Sequence, residues 1–235
     1  MAEENKDKVI FIKKSRLALL VVGIIIIAIL IVGWRFLFPA NTDNNIEHIA
    51  ADSPVLGNST LYLIEFSDYE CPYCQASEGT NQEVIDLLKQ RDPSWEAPIP
   101  KVIEEYVNTG LVSLVFRNYP VHQNKEPVLA VKCAKEQGKF WEYHTLLFEN
   151  YDSLLNADLK RYASDTNLDL NQFTQCLDSK KYQSSMDNDL SDGSGLGVSG
   201  TPTFFIGNDE IGYEKLVGAQ SFAAFKQIID SKISV

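Results

Sequence analysis

Cys71 and Cys74 enclose Pro72 and Tyr73 in a CPYC quartet that closely follows a mostly apolar run, Thr60–Ser67 (TLYLIEFS). Two thiols three residues apart at a helix start lie on one turn, so their sulfurs can join as a short-loop disulfide and part again with little backbone movement. Pro72 suits the first helical position, where its missing N–H costs nothing. Cys71 then falls at the cap, where unpaired N–H groups and the helix dipole stabilise a thiolate. A lowered thiol pKa also makes the sulfur a better leaving group. Cys71 is thus read as the exposed attacking thiol and Cys74, one turn inside, as the resolving thiol. A structural zinc site needs about four ligands, but Cys133 and Cys176 stand alone and His48, His122 and His144 have no close His spacing. Covalent haem needs His after the second Cys, and position 75 is Gln. A purely structural disulfide would close too short a loop to constrain the unfolded chain much. The chemistry is that of the two thiols, with no metal and no cofactor expected.

Glu65 lies within the apolar run, six residues before Cys71. Desolvation should raise its pKa, and it could end beneath the helix start, placed to take the proton from Cys74. The plainer alternative is a Glu at a strand edge paired with a Lys. Thr201-Pro202-Thr203 places a proline at a strand's first residue, where it removes a ladder donor and leaves the backbone of Thr201 open to an extended substrate. Cys133 and Cys176 both fall in a helix-forming stretch. Pairing them would close a loop of about 44 residues and contribute roughly 4 kcal/mol through loop-closure entropy, as bracing or, alternatively, as a second redox relay. Gly193, Gly195, Gly197 and Gly200 lack the Lys of a phosphate loop and read as a flexible entry to Pro202. The aromatic residues of Phe140–Phe148 sit at helical spacing and read as core, and His122 and His144 read as structural. Asn58-Ser59-Thr60 fits a glycosylation acceptor, a triplet that arises often by chance.

The elements that must hold these residues follow from periodicity. Thr60–Ser67 reads as a central strand buried on both faces. After the cysteines comes a helical pattern with Val84, Ile85, Leu87 and Leu88 as its apolar stripe. The proline-rich stretch 92–100 (DPSWEAPIP) interrupts it, helix resumes through Val102, Ile103, Tyr106 and Val107, and Gly110 caps it. A second strand, Leu111–Arg117, should run parallel to the first because a helix joins them. Residues 125–190 read as an all-helical block with segments at 127–137, 140–151, 157–166 and 170–177 and a last one from Lys181. Thr203–Ile206 and Gly212–Val217 then form a hairpin across Gly207-Asn208-Asp209, and a helix over Phe222–Ile233 closes the chain.

Ahead of all this, Leu17–Trp34 carries no charge and continues past Arg35 through Phe36, Leu37 and Phe38. About 22 residues at about 1.5 Å each span a bilayer. A cleavable signal peptide is the rival reading, but its apolar region would be shorter and end in small residues, whereas Trp34, Arg35, Phe36 and Leu37 stand here. Lys6, Lys8, Lys13, Lys14 and Arg16 precede the span, so the N-terminus should be cytoplasmic and the rest outside. The 235 residues carry a net charge of -11. Residues 1–40 hold six basic and three acidic residues, so 15 of the 21 basic and 29 of the 32 acidic residues fall from Asn41 onward, a net -14. Such acidity argues against nucleic-acid binding, which relies on Lys and Arg to neutralise phosphates.

With these motifs placed, the chain resembles the DsbA-like branch of the thioredoxin superfamily, in its membrane-anchored or secreted bacterial form. The resemblance is carried by Asp52–Gly57 (DSPVLG), Ile64–Cys74 (IEFSDYECPYC), Cys133–Phe148 (CAKEQGKFWEYHTLLF) and Gly197–Gly207 (GVSGTPTFFIG). It implies an α/β thioredoxin fold with an inserted all-helical domain after an N-terminal transmembrane helix. The expected organisation is a cytoplasmic N-terminus (1–16), an anchor (17–38), a linker (39–59), a thioredoxin-like domain (60–124 and 191–235) and a helical insertion (125–190). It further implies Cys71 as nucleophile, Cys74 as resolving cysteine, Glu65 as buried acid and Pro202 as a cis-proline facing the disulfide, with Pro72, Tyr73 and Thr201 against the substrate. The activity implied is thiol-disulfide exchange on exported, unfolded or partly folded proteins, with an integral-membrane quinone-linked redox partner. Disulfide donation is the leading direction. The dipeptide Pro72-Tyr73, which also looks like that of glutaredoxins and some isomerases, keeps a reductase or isomerase open, and a non-catalytic holdase is the alternative of another class. The 92–100 segment is longer than usual for this branch.

Overall fold

A computed structural model describes residue 49 and residues 53–234. The chain divides into residues 1–43 and 44–235, and the described residues all lie in the second unit. The expected cytoplasmic N-terminus and membrane anchor lie outside the described residues, among which no helix is long and apolar enough to cross a membrane.

Five strands form one sheet: β1 (Val55–Leu56), β2 (Tyr62–Ser67), β3 (Ser113–Asn118), β4 (Thr203–Asn208) and β5 (Gly212–Val217), in the order β1-β3-β2-β4-β5. β2 is central and almost wholly buried, as its apolar run requires. It pairs parallel with β3 and antiparallel with β4, so that Glu65 stands in register between Phe116 and Phe204. Val55 and Leu56, read from sequence as part of a tether, instead pair antiparallel with β3.

The crossover from β2 to β3 holds α1 (Pro72–Ser77), α2 (Gln82–Arg91) and α3 (Pro98–Val102), which continues as a wider π-type turn over Ile103–Val107. The single helix expected after the cysteines is broken. Gly79 adopts a φ of +80°, and Asn81 caps α2 by accepting from Val84 N–H at 3.1 Å. Leu87, expected in the buried stripe, is 40% exposed. The proline-rich segment is no loose loop. Trp95 is buried against Ile85 and Ala76 and donates its indole N–H to Ala219 O at 3.0 Å, while Glu96 O accepts from Phe222 N–H at 3.0 Å.

The insertion comprises α4 (Glu126–Glu136), α5 (Phe140–Glu149), α6 (Asn156–Asp165), α7 (Leu170–Asp178) and α8 (Gln183–Gly195), and α9 (Phe222–Ile233) follows β5. α8 runs through Gly193 and Gly195, so these two glycines are helix and not a flexible entry. A Cβ at Gly193 would come within 2.6 Å of the Tyr119 ring; only glycine lets the helix approach that closely. α3 and α9 pack on one sheet face with Leu63, Leu114, Phe204 and Ile206, whereas Ile64, Phe66, Val115 and Phe205 face Tyr119 and Val198. A buried ion cluster fastens the insertion to the sheet: Asp189 of α8 accepts from Arg117 of β3 at 3.2 Å and from Lys132 of α4 at 2.7 Å, and Arg117 also pairs with Asp192.

Cys133 and Cys176 form a disulfide between α4 and α7 across 43 residues of sequence. Replacing both with Ala is expected to cost roughly 4 kcal/mol of stability, since the bridge restricts the unfolded chain. Thermal unfolding checks this, and thiol-disulfide exchange by the folded variant should be nearly unchanged. Loss of turnover at unchanged melting temperature would assign the pair a redox task instead.

Candidate active site

Cys71 caps α1 in an extended conformation (φ -79°, ψ 118°) with Pro72 at the first helical position, as its sequence requires. Its N–H donates to Asp68 O at 3.1 Å, and its Sγ, as a thiol, donates to the Thr201 carbonyl at 3.3 Å. The Thr201–Pro202 bond is cis. The chain thus brings Cys71, Cys74, Thr201 and Pro202 together from segments 130 residues apart. Pro72 is exposed and Tyr73 is 41% exposed, so the dipeptide faces solvent where a partner would meet the sulfur.

The two thiols are reduced and their environments push them apart. The Cys74 thiol, with the backbone N–H groups of Tyr73 and Cys74, brings the Cys71 thiol down to about 6 against the opposing effect of burial. Burial holds the fully enclosed Cys74 thiol well above its ordinary value. The sequence reading of Cys71 as an exposed thiol does not hold: the residue is only 6% exposed, packed into the core with the Thr201 carbonyl against its sulfur. Near neutral pH one sulfur is therefore a thiolate and the other a thiol, the division of labour that exchange needs.

Glu65 is fully buried and has no basic partner among the described residues, so the edge-pair reading fails. Burial, and then the neighbouring Glu78, raise its pKa well above the carboxylate range. No hydrogen bond joins it to Cys74; the buried Ser67 hydroxyl, on the same strand face, acts on both groups. Glu78, which the sequence reading passed over, completes a carboxyl pair with Glu65 and is pushed by burial up to about 8. Its signal was present: Cys71, Cys74 and Glu78 follow at i, i+3 and i+7, one helical face. His144, read from sequence as structural, sends Nε2 to 3.5 Å from Glu78 and shares a 3.0 Å hydrogen bond through Nδ1 with the Tyr69 hydroxyl. Enclosed by Phe116, Phe140 and Phe148, it stays neutral, burial lowering its pKa to about 3. His122 lies at the rim, with Nδ1 2.8 Å from Asp68 Oδ2. Among the described residues no cluster of three or more His, Cys, Asp or Glu could hold a metal ion.

Comparison with known proteins agrees with this geometry. The Thioredoxin family model matches residues 94–231, beginning after the cysteine pair. Among solved structures, oxidised BdbD from Bacillus subtilis superposes with a TM-score of 0.64 at 20% identity, covering 78% of this chain and 94% of that one. Wolbachia pipientis alpha-DsbA1 superposes at 0.61 and 25% identity, covering 78% and 92%. Sequence relatives include the Na(+)/H(+) antiporter NhaA 3 of Salinispora tropica, 34% identical over 148 residues, which is 61% of this chain and 20% of the antiporter. NhaA 1 of Mycolicibacterium vanbaalenii is 28% identical over 181 residues, 74% of this chain and 25% of that protein. The chain thus spans about a fifth to a quarter of the length of these curated relatives. The chain belongs to the thioredoxin family, in its DsbA-like branch of thiol-disulfide oxidoreductases.

Proposed function

We propose that this protein is a membrane-tethered, extracytoplasmic oxidoreductase that donates its Cys71–Cys74 disulfide to exported, unfolded or partly folded proteins. The observation that carries the reading is the asymmetric pair: a Cys71 thiol brought down to about 6 beside a fully enclosed Cys74 held high. A substrate thiolate attacks Cys71 Sγ, the Cys71–Cys74 bond breaks, and Cys74 leaves and takes a proton from the neighbouring Glu65–Glu78 carboxyl pair. A second substrate thiolate then attacks the substrate's own sulfur in the mixed disulfide, and Cys71 departs as thiolate. Two substrate thiols become one disulfide and the protein is left as the dithiol, to be reoxidised by an integral-membrane partner. The apolar stretch 17–38, whose only charge is Arg35, and the basic residues before it support the tether and its orientation.

Stabilising the Cys71 thiolate stabilises the reduced protein, which favours donation. Equilibrating the full chain in detergent with glutathione buffers should therefore give a potential nearer the value of about -120 mV of a strong oxidant than the value of about -270 mV of thioredoxin. A potential near thioredoxin's would defeat the donor direction and leave a reductase of the same fold.

A further inference from the structure

Beyond the two cysteines, the rim of the site holds an ion pair whose placement is fixed from two sides. Asp68 directly follows β2 and opens the turn that leads to Cys71, and its carbonyl accepts the N–H of Cys71 itself at 3.1 Å. Its carboxylate is buried and takes four donors: Glu70 N–H on Oδ1 at 3.0 Å, and on Oδ2 Val121 N–H at 2.8 Å, His122 N–H at 3.0 Å and His122 Nδ1 at 2.8 Å. The loop after β3 is thereby pinned to the turn that presents Cys71. The His122 side chain is nevertheless 44% exposed, with Nδ1 committed to Asp68. Its ring can gain or lose a proton at Nε2 with no movement of the chain. The charged and titratable groups acting on it are Asp68, Cys71 and Glu70; nearby, Lys125 donates to Pro120 O.

The CPYC dipeptide itself carries no cation, so the helix start has no charged partner of its own for the Cys71 sulfur. We propose that His122 is a positioning residue for the exchange reaction: pinned by Asp68 at the rim, its imidazolium stabilises Cys71 Sγ as the thiolate that leaves when the mixed disulfide is resolved. In that step the substrate–Cys71 S–S bond breaks, its electron pair departs on Cys71 Sγ, and the new bond forms between the two substrate sulfurs. With His122 protonated, the ring and Asp68 together are neutral. Once the proton is lost, the Asp68 carboxylate is left as a net negative charge beside the sulfur. The hydrogen bond to Asp68 raises the His122 pKa from its ordinary value, so the cation persists in the range where Cys71 ionises. This assignment rests on Cys71 being the exchanging thiol.

The test is His122→Gln in the full chain in detergent, since Gln keeps a donor for Asp68 and removes the charge. Thiolate absorbance of the reduced protein should show the apparent Cys71 pKa rising by about half a unit to one unit. By linkage, the His122 ring, followed by NMR, should titrate lower in the oxidised wild-type chain, where the thiolate is gone, by a similar amount. A ring that merely holds the loop would move neither reading. An unshifted Cys71 titration in His122→Gln, or the same His122 titration in both redox states, overturns the proposal. Failure of the exchange reading shows separately, as substrate oxidation that survives Cys71→Ser.

Discussion

Replacing Cys71 with Ser is expected to reduce oxidation of a thiol-bearing unfolded protein to background, a loss of roughly three orders of magnitude or more. A serine hydroxyl cannot form the mixed disulfide, and it ionises far above the value of about 6 that the site gives the thiol. The substitution is nearly isosteric at a cap position, where Ser is a favoured residue, so folding should be spared. Cys74→Ser should behave differently. Given a client that already carries a disulfide, the variant's Cys71 thiolate would still attack one client sulfur and release the other as a thiol, but the intramolecular release by Cys74 is gone, and mixed disulfides should accumulate on Cys71, visible as thiol-sensitive adducts. Neither variant holds a disulfide to donate, so both should fail to oxidise a reduced, unfolded client, and adduct formation with a disulfide-bearing client separates them. If Cys71→Ser oxidised the client as well as the wild type, or protected it from aggregation with no thiol chemistry at all, the protein would be a binding module that keeps the fold.

The second large effect is expected at the carboxyl pair, where stability and activity should move in opposite directions. Glu78 and Glu65 are held neutral in the folded chain, and an unfolded chain ionises them at the ordinary carboxylate value of about 4.3. A folded pKa above the unfolded one means that folding pays to keep the proton: the penalty is absent below the unfolded value, grows as pH rises, and levels off above the folded value. Glu78→Gln should therefore stabilise the protein by of the order of 5 kcal/mol at pH 8 and above, and by almost nothing at about pH 4. Denaturant titrations across that range measure it. Glu65→Gln should behave alike, and it should also slow the first exchange step, because Cys74 loses its proton source as it leaves. A stability gain that is independent of pH, or no gain in either variant, would mean that the carboxyls are not buried as the acid pair described above. A protein that keeps a destabilising pair beside its reactive sulfurs is paying for function with stability.

Local rules carried far in this chain wherever neighbouring residues decide the outcome. Pro72 and the cap position determined the Cys71 conformation, the apolar run determined β2, and helical spacing placed the five insertion helices to within a few residues. Turn chemistry failed where two signals competed. Gly79 and Asn81 broke a stripe that periodicity alone would have continued, because a positive φ and a side-chain cap stop one helix and start another. The glycines of α8 misled for the opposite reason: Gly193 serves close packing against Tyr119, a demand made by a residue more than 70 positions away.

By itself, the sequence singled out the candidate site residues: two thiols on one helical turn, a carboxylic acid in an apolar strand, and a proline at the start of a later strand. These depend on spacing and composition along the chain. The tertiary structure alone decided what surrounds those residues. Thr201 meets Cys71 across 130 residues, Glu78 pairs with Glu65, His144 reaches them from the insertion, and Asp68 holds His122 at the rim. Each is a contact between segments far apart in sequence, and the proton affinities that divide the roles of Cys71 and Cys74 arise from burial and from through-space charge, which exist only once those segments have packed.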